Sequence, residues 1–199
     1  MSPFIYLASS SPRRRELLTQ LGVAHEVLEV AVDETPRAGE SAADLVCRLA
    51  ALKARAGLAV RPARIAPVMA ADTAVALGAE LFGKPEDQAD ATRMLARLAG
   101  RTHSVWTAVA VTDGGRERVE LNRSEVTFRA IAPEEMIAYW QTGEPADKAG
   151  AYAIQGLGAQ FIADIKGSYS GVMGLPLFEA AKLLTQFGCA LLPAAPASS

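Results

Sequence analysis

Cysteine and histidine are scarce in this 199-residue chain, with two of each. Cys47 and Cys189 lie far apart and show no metal-ligand spacing, and with only His25 and His103 available a zinc site is hard to build. Cys47 falls in an apolar helical pattern and reads as a reduced core thiol, so the expected compartment is a reducing one, the cytoplasm. No stretch approaches the roughly 20 apolar residues of a membrane helix. The N-terminus lacks a charged segment leading into an apolar one, so no secretory leader is expected. Neither sign of charge is in excess: 20 Lys and Arg against 22 Asp and Glu leave a net −2. That excludes a global field for nucleic acid or an anionic membrane, and neither partner is expected. Half of the residues are hydrophobic, enough for a substantial core in a single domain over residues 1–190. The tail at 191–199, rich in Pro, Ala and Ser from Pro193, is expected to be disordered.

The first 21 residues organise the rest. Phe4 to Leu7 reads as a buried strand, and Leu17, Leu18 and Leu21 recur at helical spacing. Between them stand Ser9, Ser10 and Ser11, then Pro12, then Arg13, Arg14 and Arg15. Ser11 suits a helix cap and Pro12 a first helical residue. A helix N-terminus following a strand presents free N–H groups and positive dipole, and guanidinium forks there suit a phosphate chain. An ordinary capped helix with solvated arginines fits the same pattern.

Further on, Val23 to Val32 is a strand candidate ending in the acidic turn Asp33-Glu34. Ser41 with Asp44 resembles a capping box, opening a helix to about Gly57 with Leu45, Leu49, Leu52 and Ala56 as its stripe. Lys53, at the edge of that stripe, can pack its stem and extend its ammonium into a cleft. Val68 to Ala71 reads as a buried strand that delivers Asp72 and Thr73 at its end. Gly78-Ala79 suits a hairpin turn, stopped by Gly83-Lys84-Pro85. A helix capped by Asp87 runs to Leu98, and 102–112 with 118–131 form a long hairpin. A helix from Pro133 ends near Gly143. Residues 143–156 are a long glycine-rich loop, of the kind that is functional when ordered. A strand over 161–165, a turn over 166–171 and a helix from Leu175-Pro176 to about Phe187 complete the chain.

Two groups of polar residues fall at strand ends and loops. Arg13, Arg14, Lys53, Lys84 and Lys148 can neutralise phosphates. Asp33, Glu34, Asp72 and Glu80 are carboxylates, and oxygen donors without His or Cys suit Mg²⁺ or Mn²⁺. Together they equip a site for chemistry at phosphorus, with Asp72 the best-placed base. There is no G-x-x-x-x-G-K-[ST], and Gly156-Leu157-Gly158 is an incomplete dinucleotide fingerprint in the wrong context. Tyr152 could stack on a base and Gln155 could pair with its edge.

The stretches Leu7 to Leu18, Asp33-Glu34, Ala71 to Thr73, Gly83 to Pro85, Gly100 to His103, Asp147 to Gly156 and Gly167 to Pro176 together resemble the Maf family of nucleoside triphosphate pyrophosphatases. They cover nearly the whole chain from 5 to 187. The resemblance implies a mixed α/β fold, an elongated twisted sheet flanked by helices, with two lobes around a central cleft, similar to inosine triphosphate pyrophosphatases. It implies hydrolysis between the α and β phosphates, a divalent metal and, as often in the family, a homodimer; the carboxylates Glu34 and Asp72 are the expected metal holders. Asp72 matches the proton acceptor; Arg13, Thr73 and Gln155 match positions of substrate choice; Ser9, Arg14, Glu34, Lys53 and Lys84 match other cleft residues. The wording from Asp147 to Gly156 is similar to the branch acting on dTTP and UTP. Alternatives are the 7-methyl-GTP branch and a nucleotide-binding regulator of septum formation, the latter compatible with a link to arrest of cell division. Departures are Ala99, Ala153 and Gly171.

Overall fold

The fold is built on one long strand whose two edges are used differently. A computed structural model of the protein describes residues 3–192, so the tail expected to be disordered from Pro193 lies outside the described residues. The long strand is β3 (Val68–Leu77). One edge pairs along its length with antiparallel β5 (Thr102–Thr112), from Val68↔Thr112 to Ala76↔Ser104. The other edge is shared. Strand β1 (Phe4–Leu7) pairs in parallel with Val68 and Met69 only. Strand β4 (Glu80–Phe82) pairs antiparallel with Val75, Ala76 and Leu77. Strands β2 (Ala24–Val27), β6 (Glu117–Phe128) and β7 (Ile162–Lys166) complete a seven-stranded mixed sheet in the order β2-β1-β3-β5-β6-β7, with β4 beside β3.

Helices cover both faces. Helix α1 (Pro12–Gln20) follows β1 directly, as the proline and leucine spacing predict. Helix α2 (Ala42–Val60) is opened by Ser41, whose side chain accepts from the Asp44 N–H. It extends three residues past Gly57, the stop expected from sequence. That glycine is not a cap: a β-carbon there would come within 2.8 Å of both Ala8 and Val68. Its role is to let the helix lie close against the sheet. Helices α3 (Gln88–Leu98) and α4 (Pro133–Gln141) sit at one end. The short α5 (Tyr169–Met173), capped by Ser168, occupies the stretch expected to be only a turn, and α6 (Leu177–Gln186) closes the chain.

Strand alternation divides the core. On one face Tyr6, Val68, Ala70, Ala74 and Ala76 pack under Leu45, Leu49 and Ala50 of α2. On the other, Ile5, Leu7, Met69 and Ala71 meet Leu17 and Leu18 of α1 and Leu183 and Leu184 of α6. Full burial of each leucine contributes about 1.5–3 kcal/mol. A third cluster, Val75, Phe82, Leu95, Leu98, Val105, Phe128 and Phe161, fills the other end of the sheet. All three clusters thus draw on β3 and β5, and the second and third lie on either side of Thr73 in the middle of β3. Leu191, two residues after the buried Cys189, still packs on the second cluster.

Three elements are shorter or longer than expected. β2 ends at Val27, and residues 28–41 run as a loop carrying Asp33 and Glu34. β6 ends at Phe128. β3 does not stop at Ala71, because pairing with β5 and then β4 carries it to Leu77. Asp72 is therefore a mid-strand residue. Among the described residues no helix is long and apolar enough to cross a membrane.

Candidate active site

The site opens where β3 loses a neighbour. Beyond Met69, whose carbonyl accepts from Ala8 N at 2.8 Å, β1 turns away into Ser9 to Ser11. β4 joins only at Val75. Residues 70–74 thus have β5 on one side and no strand on the other. A cleft of 640 Å³ occupies that gap, a size suited to a nucleotide-scale ligand. Ser9, Arg13, Arg14, Glu34, Lys53, Asp72, Thr73, Lys84, Lys148 and Gln155, all expected in the site, line it.

Asp72 and Thr73 are adjacent, so they point to opposite faces of the sheet. Asp72 shares the α2 face. There Lys53 reaches down from α2 and its Nζ lies 2.6 Å from Asp72 Oδ1 and 2.7 Å from Glu34 Oε1. Asp72 is 8% exposed, while the Glu34 side chain is 56% exposed. Burial pushes the Asp72 carboxyl above its ordinary range; Lys53 and Arg14 oppose that, and Glu34 adds to it. Among the described residues Asp72 Oδ2 has no hydrogen-bond partner. One oxygen is held by an ammonium and the other is free, and the pKa lies above that of an exposed aspartate. Those are the attributes of a general base.

Thr73 faces α1, where Arg14 acts as a hub. Its Nε donates to Gly174 O at 2.8 Å, one terminal nitrogen to Ser9 Oγ at 3.1 Å and the other to Thr73 Oγ1 at 3.3 Å. This planar fork ties three distant segments together. Burial lowers its pKa first, with the Asp72 charge opposing. Arg13, one residue earlier, is also lowered by burial and opposed by Asp147. Lys84 lies exposed just after β4 and Gln155 exposed on the 143–156 loop; among the described residues neither makes a side-chain hydrogen bond. Lys148 pairs with Asp147. Ser11 begins α1 without a side-chain cap bond, its N–H being taken up by Ser9 Oγ instead.

Sequence reasoning missed Thr107 and Asp147. Thr107 Oγ1 lies 3.0 Å from Thr73 Oγ1 and donates to Gly171 O at 2.8 Å. A polar residue inside the apolar run of β5 was the available signal. Asp147 lines the cleft near Arg13. Gly171 also has a packing reason, since a β-carbon there would come within 2.7 Å of Asn122 Oδ1.

Two expected carboxylates lie outside the cleft, and one expected aromatic is part of its wall. Glu80 lies outside the cleft, held by Arg97 at 2.5 Å, because it flanks the β3–β4 turn. Asp33 is exposed and accepts from Thr35 N at 2.9 Å, a turn contact. Tyr152 borders the cleft, but it is buried and its hydroxyl is held 2.9 Å from His103 Nε2, packed edge-on against Phe128. It is part of the wall and is not positioned to stack on a base.

His103 makes its own pH signature. It is 2% exposed, and burial lowers its pKa from 6.5 to about 4. Between those values the unfolded chain binds the extra proton. Stability is therefore fully present above about pH 7 and falls by about 3 kcal/mol as pH drops towards 4. His103→Phe is expected to flatten this slope in urea unfolding at pH 7 and pH 4.5; an unchanged slope would place the acid sensitivity elsewhere.

For a divalent cation the donors are suitable but few. Among the described residues no group of three or more His, Cys, Asp or Glu could hold a metal. Glu34 and Asp72 nonetheless converge on one cationic nitrogen. Two hard carboxylates with the rest of the shell left to water and phosphate oxygens fit magnesium-type coordination.

The family model described as Maf-like protein matches residues 4–187. A dTTP/UTP pyrophosphatase of Methylococcus capsulatus is 53% identical over 184 residues, covering 92% of this chain and 91% of that one. The dTTP/UTP pyrophosphatase of Burkholderia pseudomallei is 53% identical over 193 residues, covering 92% of each. Among solved structures, the Staphylococcus aureus Ham1 protein gives a TM-score of 0.44 at 15% identity, over 63% of this chain and 71% of that chain. A family match from the first strand to the end of the last helix, joined by relatives identical at more than half of the aligned positions, places this chain in the Maf-like protein family.

Proposed function

We propose that the protein hydrolyses dTTP and UTP between the α and β phosphates, releasing the nucleoside monophosphate and pyrophosphate. The observation that carries the reading is Asp72, a buried carboxylate with one oxygen held by Lys53 and the other free, in a cleft whose lining also includes the cations Arg13, Arg14, Lys84 and Lys148. Asp72 Oδ2 takes a proton from water, and the water oxygen bonds to the α-phosphorus. The bond from that phosphorus to the bridging oxygen breaks, and its electrons leave with pyrophosphate. Arg13, Arg14 and Lys84 offset the phosphate charge through the reaction. Thr73 and Gln155 bear on substrate choice. Glu34 and Asp72 would hold Mg²⁺ or Mn²⁺, which when bound neutralises phosphate charge. Relatives named for dTTP and UTP support the choice of nucleotide. We place the enzyme in the cytoplasm, as a homodimer.

The test is a hydrolysis panel with magnesium or manganese over dTTP, UTP, 5-methyl-UTP, CTP, GTP and 7-methyl-GTP, with products separated by chromatography. Monophosphate and pyrophosphate from dTTP and UTP, lost on chelation with EDTA, are the expected result. Orthophosphate with nucleoside diphosphate would overturn the position of cleavage. Preference for 7-methyl-GTP would overturn the specificity, and binding without turnover across all metals would overturn the enzyme.

A further inference from the structure

Gly156-Leu157-Gly158, the glycine pair that does not form a dinucleotide fingerprint, has a different use. Leu157 N and Gly158 N donate to the Glu144 carboxylate at 2.9 and 3.0 Å. The same carboxylate accepts from Tyr139 Oη at 2.6 Å, and Tyr139 Oη accepts from Ala153 N at 3.0 Å. The segment 153–158 is therefore pinned at both ends, at Ala153 by a tyrosine on α4 and at 157–158 by a glutamate just after it. Both glycines are required for the approach. A β-carbon at Gly156 would collide with the Glu144 carboxylate, and one at Gly158 would lie 2.5 Å from Tyr139 Oη and 2.8 Å from Ala153 O. Between the pins the chain makes a tight turn, with Gly156 N donating to Ala153 O. Gln155 stands on that turn, exposed to the cleft. Neither Glu144 nor Tyr139 lines the cleft.

We propose that Glu144 and Tyr139 form a clasp that sets where Gln155 stands and thereby governs discrimination between pyrimidine bases. The proposal rests on the reading above that Gln155 meets the base. Thymine and uracil present an acceptor at O4 where cytosine presents an N4 donor. An amide can answer only one of these patterns from a given position and orientation. Discrimination therefore requires that the backbone carrying the amide be fixed. The hydrogen bonds from Tyr139 and from the 157–158 backbone outweigh burial and hold the Glu144 carboxyl below its usual range, consistent with a carboxylate that stays ionised in this role.

The experiment compares kcat and KM for dTTP and CTP in the full chain and in Gln155→Ala, Glu144→Gln, Tyr139→Phe and the Gln155→Ala/Tyr139→Phe pair. Each single variant is expected to lower the dTTP-over-CTP ratio of kcat/KM about tenfold, through KM, with kcat for dTTP within about threefold. The double variant is expected to discriminate no worse than Gln155→Ala alone. Circular dichroism and melting curves establish folding, and Tyr139→Phe carries the test if Glu144→Gln does not fold. If Gln155→Ala lowers the ratio and the folded clasp variants keep it, the clasp is refuted and the base-reading role stands. If the clasp variants lower kcat equally for both nucleotides, their role is only structural and the clasp is refuted. If Gln155→Ala leaves the ratio unchanged, the base-reading role is refuted and the clasp with it.

Discussion

Replacing Asp72 with Asn is expected to lower kcat for dTTP by about a thousandfold, within the range general-base catalysis supplies. The substitution is nearly isosteric. The Asn Oδ1 can still accept from Lys53, so the ladder of β3 with β5 and the packing of Ala70 and Ala74 under α2 are untouched. The melting temperature is therefore expected to stay within a few degrees, and nucleotide binding to survive within about tenfold. What is lost is the free oxygen that accepts a proton. A variant retaining activity within tenfold of the parent would show that another group takes the proton, and Glu34, the other carboxylate on Lys53, would be the next to test.

Lys53→Met carries the second large effect. Among the described residues Lys53 is the one positive charge in direct contact with both carboxylates. Without it Asp72 is a buried anion facing Glu34, with only the more distant Arg14 to oppose the cost of burial. Removing one partner of a buried pair is expected to destabilise the fold by about 3 kcal/mol at pH 7. The sign with pH follows from the direction of the shift. Lys53 holds the Asp72 pKa down, so its loss moves that pKa further up. The penalty is full while Asp72 is ionised in the folded chain, shrinks as pH falls below the raised pKa, and is gone below the ordinary range of an exposed aspartate. Urea unfolding should therefore show the variant weakest at neutral pH and approaching the parent at acid pH. Turnover at pH 7 is expected to fall about a hundredfold, since the ammonium that holds Asp72 Oδ1 and orients the carboxylate is gone. A stability difference that is constant across pH would mean that Lys53 acts through packing and not through charge.

Much of this site was legible because its residues sit where local rules place them. Pro12 after the serines, the Ser41–Asp44 cap and the leucine stripe of α2 lead directly to α1 and α2, and so to Arg14 and Lys53. Less legible was anything that depends on which strand ends up beside which. Asp72 reads as the end of a short apolar strand, because nothing local reveals that β4 takes over the edge that β1 abandons. The same blindness put Glu80 among the cleft carboxylates, when the turn before it directs it to Arg97 on α3. Tyr152 looked available for stacking because its partner, His103, lies 49 residues away in sequence. Gly57 looked like a helix stop because close approach to β1 and β3 leaves no trace in a single helix. Each of these misreadings concerns contacts between segments, and the local pattern was sound in each.

The opposite facing of Asp72 and Thr73 gives the cleft its two-sided character. On the α2 face stand Asp72, the proposed base, and Glu34, the other proposed metal carboxylate. On the α1 face stand Thr73, Thr107 and the Arg14 fork that ties Ser9 to Gly174. In the proposed reaction a triphosphate lies across the gap in the sheet and meets both faces. On that proposal the unpaired stretch of β3 lets two neighbouring residues on opposite faces serve one substrate.

The central claim is that water attacks the α-phosphorus, and identifying the products does not test it, because attack at the β-phosphorus also yields monophosphate and pyrophosphate. The direct measurement is hydrolysis of dTTP in water enriched in oxygen-18, with both products weighed by mass spectrometry. Attack at the α-phosphorus leaves one labelled oxygen in thymidine monophosphate and none in pyrophosphate, and this is the expected result. Label in the pyrophosphate would place the attack at the β-phosphorus and contradict the role assigned to Asp72 in this cleft.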